Sequence, residues 1–176
     1  MWERQSGWRN STLNYECSGL THTMTPPVSI RSALITDAYG ISKLIASTSE
    51  TCIFSEAAPC PDWYLNSIQT QAIETLITSD RLVFLLALND QTIAGVLAIE
   101  SKSSIKYFFV YPDQQKMGIG QLLWQFAKNS GAFGETLKVR SSLFAVPVYE
   151  RLGFKTTEPP GCFKGLHFQP MVNHHP

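Results

Sequence analysis

A glycine-bearing loop between a predicted strand and a predicted helix constrains the fold of this chain more than any other feature. Residues 105–111 are rich in aromatic side chains, which favours a strand. Beyond the loop, apolar residues from Ile119 to Phe126 recur at the i, i+3, i+4, i+7 spacing of an amphipathic helix. Gly118 and Gly120 stand where the loop enters this helix. The segment therefore predicts a strand, a tight loop and a helix in direct succession.

A loop of this kind can bind an anion. The first N–H groups of a helix have no acceptor within the helix, and the helix dipole places partial positive charge beside them. Gly118 and Gly120 carry no Cβ, so a ligand can approach the backbone closely. We expect the N–H groups of residues 115–120 to bind a pyrophosphate. The alternative is an ordinary strand-to-helix turn that happens to contain two glycines.

Two motifs resemble those of one enzyme family. The first is Gln-x-x-Gly-x-Gly after Val-x-Pro, in residues 110–120. It closely resembles the acetyl-CoA loop of the GNAT acetyltransferase superfamily. The second, Ala-Val-x-x-Tyr-x-x-x-Gly-Phe in residues 145–154, resembles the downstream signature of that superfamily. The resemblance implies a single α/β domain with a mixed, mostly antiparallel sheet and helices on both faces. In that fold two adjacent parallel strands splay apart, and the pantetheine arm fills the gap.

The hydrophobic pattern predicts strands and helices in the order β, α, α, β, β, β, α, β, α, β, β. We expect strands at 28–35, 82–87, 92–100, 105–111, 136–139, 154–157 and 166–171, and helices at 36–47, 62–78, 118–130 and 143–152. Residues 1–27 are polar and lack either periodicity, so we expect a flexible tail. The domain is predicted to occupy residues 28–172, followed by a short tail at 173–176.

The resemblance implies acetyl-CoA as the cofactor and assigns residues to it. The expected cofactor-binding residues are Phe108, Phe109, Val110, Gln115, Lys116, Met117, Gly118, Ile119, Gly120, Gln121, Ser142 and Tyr149. Lys116 stands where many relatives carry glycine, so its ammonium either reaches a phosphate or points to solvent. Arg140 stands where asparagine is common, and Ser141 or Ser142 is expected to supply part of the lost pantetheine contact.

Two catalytic roles also follow from the resemblance. The N–H of Val110 matches the donor that polarises the thioester carbonyl. The phenol of Tyr149 matches the group that protonates the leaving thiolate, although a core tyrosine is the simpler alternative. Both roles are expectations about a direct transfer, without an acyl-enzyme.

The general base is left open by the sequence. Many relatives hold a glutamate early on the strand before the loop, and here that position carries Ser104. Glu100 is our first candidate, a water chain is the alternative, and the further candidates are Tyr107, Tyr111, Glu56 and His167.

Composition excludes several other classes. The chain has 14 basic and 14 acidic side chains and no long run of one sign, so a nucleic-acid partner is not expected. No apolar run approaches the length that spans a bilayer, and no signal-peptide pattern begins the chain, which favours a cytoplasmic location. The four cysteines form no zinc-binding pattern, so no metal site is expected.

The predicted function is therefore acetyl transfer from acetyl-CoA to a primary amine of a small molecule or peptide, by a monomer or homodimer. We expect residues 41–68 and 163–168 to form the acceptor pocket, and their aromatic side chains favour a small or mildly apolar amine. The alternatives are a non-catalytic module that senses CoA, and a scaffold whose loop binds no cofactor.

Overall fold

The computed structural model describes residues 28–54 and 59–176 of the 176-residue chain. The predicted tail at 1–27 and the candidate base Glu56 lie outside the described residues. The strands are β1 (Ser29–Ser32), β2 (Leu82–Asn89), β3 (Thr92–Glu100), β4 (Ser104–Val110), β5 (Thr136–Ser141), β6 (Lys155–Thr156), β7 (Gly161–Phe163) and β8 (Leu166–His174). The α-helices are α1 (Ala38–Cys52), α2 (Asp62–Ser67), α3 (Thr70–Ile77), α4 (Ile119–Asn129) and α5 (Val146–Arg151).

Eight strands form a mixed sheet, which confirms the predicted fold class. Their order is β1-β2-β3-β4-β5-β8-β6, with β7 paired to β8. Every pairing is antiparallel except that of β4 with β5. The two-residue turn at Asp90 and Gln91 joins β2 to β3, and both residues have positive φ, as a tight hairpin requires. The sequence Asn89-Asp90-Gln91 between two predicted strands predicts a hairpin turn, which the structure confirms.

The two parallel strands β4 and β5 separate almost as soon as they meet. Their ladder consists of one pair, Ser104 with Lys138. The pairing of β4 with β3 shifts by one residue between Tyr107 and Ile105, which leaves Lys106 as an extra residue in β4. Such a bulge bends its strand and increases the local twist. The bend directs β4 away from β5, so a gap opens between them.

Helices cover both faces of the sheet. On one face α4 and α5 contribute Leu123, Trp124 and Tyr149 to a cluster that also contains Leu97 of β3. On the other face α1, α2 and α3 pack over the neighbouring side chains of β3 and β4, among them Tyr107. Successive strand residues face opposite sides, so β3 and β4 serve both clusters. Among the described residues, no helix combines the length and apolar character that crossing a bilayer requires.

The single helix predicted at 62–78 is two helices. It breaks at Ile68 and Gln69, where Gln69 adopts an extended conformation before α3. Ile68 and Ile73 are both buried in the same cluster, yet five residues on one helix would place them about 140° apart. The break brings both side chains to the core, which one continuous helix would not do.

Three other boundaries differ from the sequence prediction. Helix α1 continues to Cys52 rather than ending near residue 47. Strand β8 continues to His174, and Asn173 is buried and donates to the carbonyl of Leu152 at 2.9 Å, so these residues are not a tail. Strand β7 was not predicted, because its residues 161–163 are too few to show alternation.

Candidate functional site

A cavity of about 1060 Å³ occupies the gap between β4 and β5. Its walls are β4, the loop that follows it, the first turn of α4, the end of β5 and α5. At one end it reaches Thr48 of α1, Tyr64 of α2 and Leu166 of β8. The volume is at the upper end of the range for sites that enclose a small molecule or cofactor.

The loop before α4 presents unpaired backbone donors to this cavity. From Lys116 to Gln121, six consecutive N–H groups have no acceptor within the part of the chain that the structure describes. No side chain caps the helix, because its N-cap residue is Gly118. Grouped donors beside the positive end of a helix dipole suit a phosphate.

Backbone conformation explains the glycine at 118. Its φ is +83°, in the left-handed region, and a Cβ built there would have no protein atom within 4 Å. Glycine is therefore favoured here because of its backbone conformation, and not because a side chain would clash. The space beside Gly118 is open toward the cavity. Lys116 also has a positive φ, +64°, and lines the cavity. A non-glycine residue in this region costs about 1–2 kcal/mol, so Lys116 holds a strained conformation at the cavity wall.

The hydrogen-bond phase of β4 turns two of its residues toward the gap. The N–H of Tyr111 donates to the carbonyl of Ala94 in β3 at 3.0 Å. In an antiparallel ladder alternate residues bond to one neighbour, so the N–H groups of Val110 and Phe108 point away from β3. Phe109 has the opposite phase and pairs with β3. Three residues of this strand were predicted to bind the cofactor. The backbone N–H and C=O groups of Val110 and Phe108 face the gap, whereas those of Phe109 face β3.

Gln115 ties the loop to the end of β4. Its side-chain nitrogen donates to the carbonyl of Val110 at 3.1 Å, which holds that carbonyl on the gap side of the strand. Its backbone N–H closes a turn with Pro112 at 3.4 Å. Gln115 was predicted to supply an N–H to the phosphate site, but the structure uses that N–H within the turn.

The remaining loop residues divide into two groups. Gly120, Ile119 and Gln121 line the cavity, as does the backbone at Gly118. Met117 is exposed and does not line the cavity, so the structure does not bring this predicted cofactor-binding residue to the cavity wall. A Cβ on Gly120 would stand 3.6 Å from the ring of Phe108, an ordinary contact, so helix and strand pack closely here.

Tyr149 lies at the base of the cavity and is only 6% exposed. Its ring packs edge-on against Phe108, with 6.2 Å between centroids, and against Phe154, at 5.3 Å. Its hydroxyl makes no hydrogen bond within the described residues. Burial raises the pKa of this phenol well above its ordinary value, so it remains protonated at neutral pH. A protonated, unbonded phenol beside a cavity can donate a proton.

The end of β5 places Ser142 and Arg140 on the opposite wall. The hydroxyl of Ser142 caps the following turn by accepting from the N–H of Ala145 at 3.3 Å. The guanidinium of Arg140 lies 5.0 Å from the ring centroid of Phe168 in β8. Both residues line the cavity, as does the buried Ser141.

Glu100, our first candidate for the base, is not brought to the cavity. It ends β3 and forms an ion pair with Arg81, with 3.2 Å between the charged atoms. It lies five residues from Gly95, the partner of Val110, or about 17 Å along the strand. No aspartate or glutamate lines the cavity among the described residues.

The other candidates for the base have distinct placements. Tyr107 lines the cavity and Tyr111 does not, and burial raises the pKa of both, which disfavours the phenolate that a base requires. His167 of β8 lines the cavity, and histidine is the side chain that most readily accepts a proton near neutral pH.

Sequence reasoning missed Thr48. It is 3% exposed, lines the cavity, and its Oγ1 has no hydrogen-bond partner among the described residues. Because the helix was expected to end at residue 47, Thr48 fell in a segment predicted to be irregular. Only the packing of α1 against β4 reveals this oxygen.

We expect Thr48→Val to stabilise the ligand-free protein by about 1 kcal/mol. The substitution keeps the shape of the side chain and removes a buried polar atom that lacks a partner, for which the usual penalty is about 1–3 kcal/mol. Urea denaturation with unchanged m-value measures the effect. Thr51→Val, on an exposed hydroxyl that donates to Ser47 at 3.0 Å, is the matched control and should not stabilise. Destabilisation by Thr48→Val would show that the hydroxyl is bonded in solution.

Comparison with known proteins gives the site its family. The acetyltransferase (GNAT) domain family matches residues 48–174, more than half of the chain. The solved GCN5-related N-acetyltransferase from Rhodopseudomonas palustris superposes with a TM-score of 0.68 at 18% identity, over 89% of this chain and 99% of that one. PaiA N-acetyltransferase from Thermoplasma acidophilum, solved with coenzyme A, gives 0.67 at 15% identity, over 84% and 98%.

The ribosomal-protein-S18-alanine N-acetyltransferase of Escherichia coli is also similar, with a TM-score of 0.57 at 18% identity, over 84% of this chain and 94% of that one. No curated protein matches the chain. Because the solved structures are less than 25% identical to this chain, they establish only its fold. The match to the domain family establishes the family. The splayed strands and the donor-rich loop are thus features of a shared architecture, and the chain belongs to the acetyltransferase (GNAT) family, as an acyltransferase.

Proposed function

We propose that the protein is an acetyl-CoA-dependent N-acetyltransferase that transfers the acetyl group directly to a primary amine of a small molecule or peptide. One observation carries the proposal: the six unbonded N–H groups of residues 116–121 lie at the mouth of the gap beside β4. A pyrophosphate on those donors would leave the pantetheine arm to run into the gap. Acetyl-CoA supplies the reaction with an activated acetyl thioester.

Val110 and Phe108 would hold the acetyl end. Their backbone groups point into the gap, where they can pair with the amides of an extended arm as strand partners do. The N–H of Val110 would donate to the thioester oxygen as negative charge develops on it. A pantetheine arm that fills the gap would displace water from it, which strengthens such a hydrogen bond.

Tyr149 would complete the reaction as a proton donor. The amine nitrogen forms its bond to the acetyl carbon, and the bond from that carbon to sulfur breaks. Tyr149 then gives its phenolic proton to the leaving sulfur. The attacking nitrogen arrives as an ammonium ion, and it would lose one proton before the attack and a second from the tetrahedral intermediate. His167 is the proposed acceptor of the first proton, because it is the histidine on the cavity wall among the described residues. The second proton would restore the phenol of Tyr149, so that one proton in total is released.

One observation favours a second candidate, a CoA-sensing module without catalysis. Among the described residues no carboxylate lines the cavity to act as a base. Such a module would bind CoA and acetylate nothing. The protein would then signal the acetyl-CoA level to a partner, and Tyr149 would be only a packed side chain.

Isothermal titration of the purified protein with acetyl-CoA tests the proposal, with NAD as the control ligand. We expect micromolar binding of acetyl-CoA and none of NAD, because NAD offers no pantetheine arm to the gap. Thiol release with a panel of primary amines, together with mass spectrometry of the product, then separates enzyme from sensor. Absence of acetyl-CoA binding would contradict both.

A further inference from the structure

We propose that the amine acceptor carries an aromatic or similarly bulky apolar group, which occupies a separate pocket beside the main cavity. This side pocket has a volume of about 280 Å³. Its walls include Ile53, Phe54, Leu143, Phe144, Leu166 and His167. The inference deepens the proposed function and rests on it, since it names the class of amine.

The side pocket adjoins the main cavity, because Ile53, Phe144 and Leu166 line both. Leu143 and Phe144 are 51% and 62% exposed in this pocket wall, an unusual arrangement for large apolar side chains in a row. Apolar surface grouped around a concave site indicates a ligand that covers it. A dry cavity of about 150 Å³ is enough to hold benzene in another protein, so a ring and a short linker fit here.

The walls of the side pocket are fixed by packing. Phe54 packs edge-on against Tyr64, with 5.3 Å between ring centroids. The indole nitrogen of Trp63 donates to the carbonyl of Lys164 at 3.0 Å, and its ring packs against Phe163 at 5.6 Å. These contacts join α2 to the β7–β8 hairpin that carries Leu166. These contacts support the part of the pocket wall that Phe54 and Leu166 form.

The charged side chains near the two cavities disfavour an acceptor that carries a second positively charged group. The charged side chains that line them, among the described residues, are all basic: Lys106, Lys116, Arg140 and Arg151. A diamine or polyamine would bring a further positive charge close to them, and none of the described wall residues is a carboxylate that could pair with it. A monoamine with an apolar body avoids this cost.

Thr48 provides a place for the amino group. Its Oγ1 is buried without a partner and lines the main cavity. Thr48 lies in the last turns of α1, Ile53 follows the final residue of that helix, and both line the main cavity. An acceptor with its ring in the side pocket would place its amino group toward Thr48. The acceptor would thus give Thr48 Oγ1 the hydrogen-bond partner that it lacks among the described residues.

Methyl-labelled protein saturated with CoA tests the inference by NMR titration. The probes are 2-phenylethylamine, methylamine and 1,4-diaminobutane. We expect 2-phenylethylamine to shift the methyl signals of Ile53 and Leu166, with affinity at least tenfold higher than that of methylamine, because only the former buries a ring. Diaminobutane should bind no better than methylamine.

Two variants test separately the residues proposed to bind the ring and the amino group of the acceptor. Leu143→Asn changes the side pocket alone and should weaken 2-phenylethylamine about fivefold or more, without changing methylamine binding. Thr48→Val should weaken both probes. Leu34→Asn is the control, since Leu34 is similarly exposed at 60% and lines neither cavity.

The outcomes separate the inference from the function on which it rests. Equal affinity for the three amines, tighter binding of diaminobutane, or no shift at Ile53 and Leu166 would overturn the inference while leaving acetyl-CoA binding intact. Binding of 2-phenylethylamine with the predicted loss in Leu143→Asn supports the site. If acetyl-CoA then gives no acetylated product, the proposed enzyme fails although the pocket assignment holds.

Discussion

Gly118→Asp is expected to weaken acetyl-CoA binding by about 100-fold or more, measured by isothermal titration. The new carboxylate would stand at the N-cap of α4, among the N–H groups proposed for the pyrophosphate. Two like charges about 4 Å apart near a protein surface repel by roughly 4 kcal/mol before screening by salt. A loss of 2.7 kcal/mol already corresponds to about 100-fold. The change also replaces the one residue type that is relaxed at this φ.

Gly131→Asp is the matched control for that effect. Gly131 follows the other end of α4, has a φ of +69°, and a Cβ there would likewise meet no atom within 4 Å. Both substitutions therefore cost similar backbone strain, of about 1 kcal/mol, but only Gly118 lies on the cavity wall. Acetyl-CoA binding that falls equally in the two variants would mean that lost stability, and not the loop, is responsible.

Tyr149→Phe is expected to lower kcat for acetyl transfer by about 100-fold while acetyl-CoA affinity stays within about twofold. General acid catalysis contributes about this much, and the phenyl ring preserves the packing with Phe108 and Phe154. The hydroxyl has no partner among the described residues, so its removal should not lower the free energy of unfolding. The measurement is steady-state thiol release with whichever amine of the panel is acetylated.

The pH dependence provides a second readout for Tyr149. Because burial raises the pKa of its phenol, the acid form persists throughout the neutral range, and the ratio of kcat between wild type and variant should be constant from pH 6 to 9. Tyr39→Phe, on an exposed ring 68% accessible to solvent, is the control and should leave kcat unchanged. An unaffected kcat in Tyr149→Phe would assign this tyrosine to packing alone and would favour the sensor.

The features that sequence predicts well here are local. The strand, the loop and helix α4 follow one another within 26 residues, and their apolar spacing and glycines are readable without knowledge of distant contacts. The structure accordingly confirms α4 to within one residue at each end and the hairpin at Asp90. The glycine requirement at 118 also follows from local conformation.

Distant pairings account for what the sequence could not predict. Nothing near Glu100 in the chain indicates that Arg81 pairs with it, because that contact depends on the register of β2 against β3. The split of α2 from α3 arises because Ile68 and Ile73 must enter one core together. Thr48 acquires its position only through the packing of α1 on the sheet. Each of these depends on tertiary structure, which overrides local preference.

The single pair that joins β4 to β5 divides the sheet into two panels, β1–β4 and β5–β8, which share almost no ladder. Each panel presents an inner edge of unpaired backbone, the kind of edge that proteins usually cover. An extended arm bound along those edges would act as a seam between the panels. A ligand at 100 times its dissociation constant adds about 2.7 kcal/mol to the free energy of unfolding. The concentration of that ligand would then set the stability of the folded protein as well as its rate of acetyl transfer.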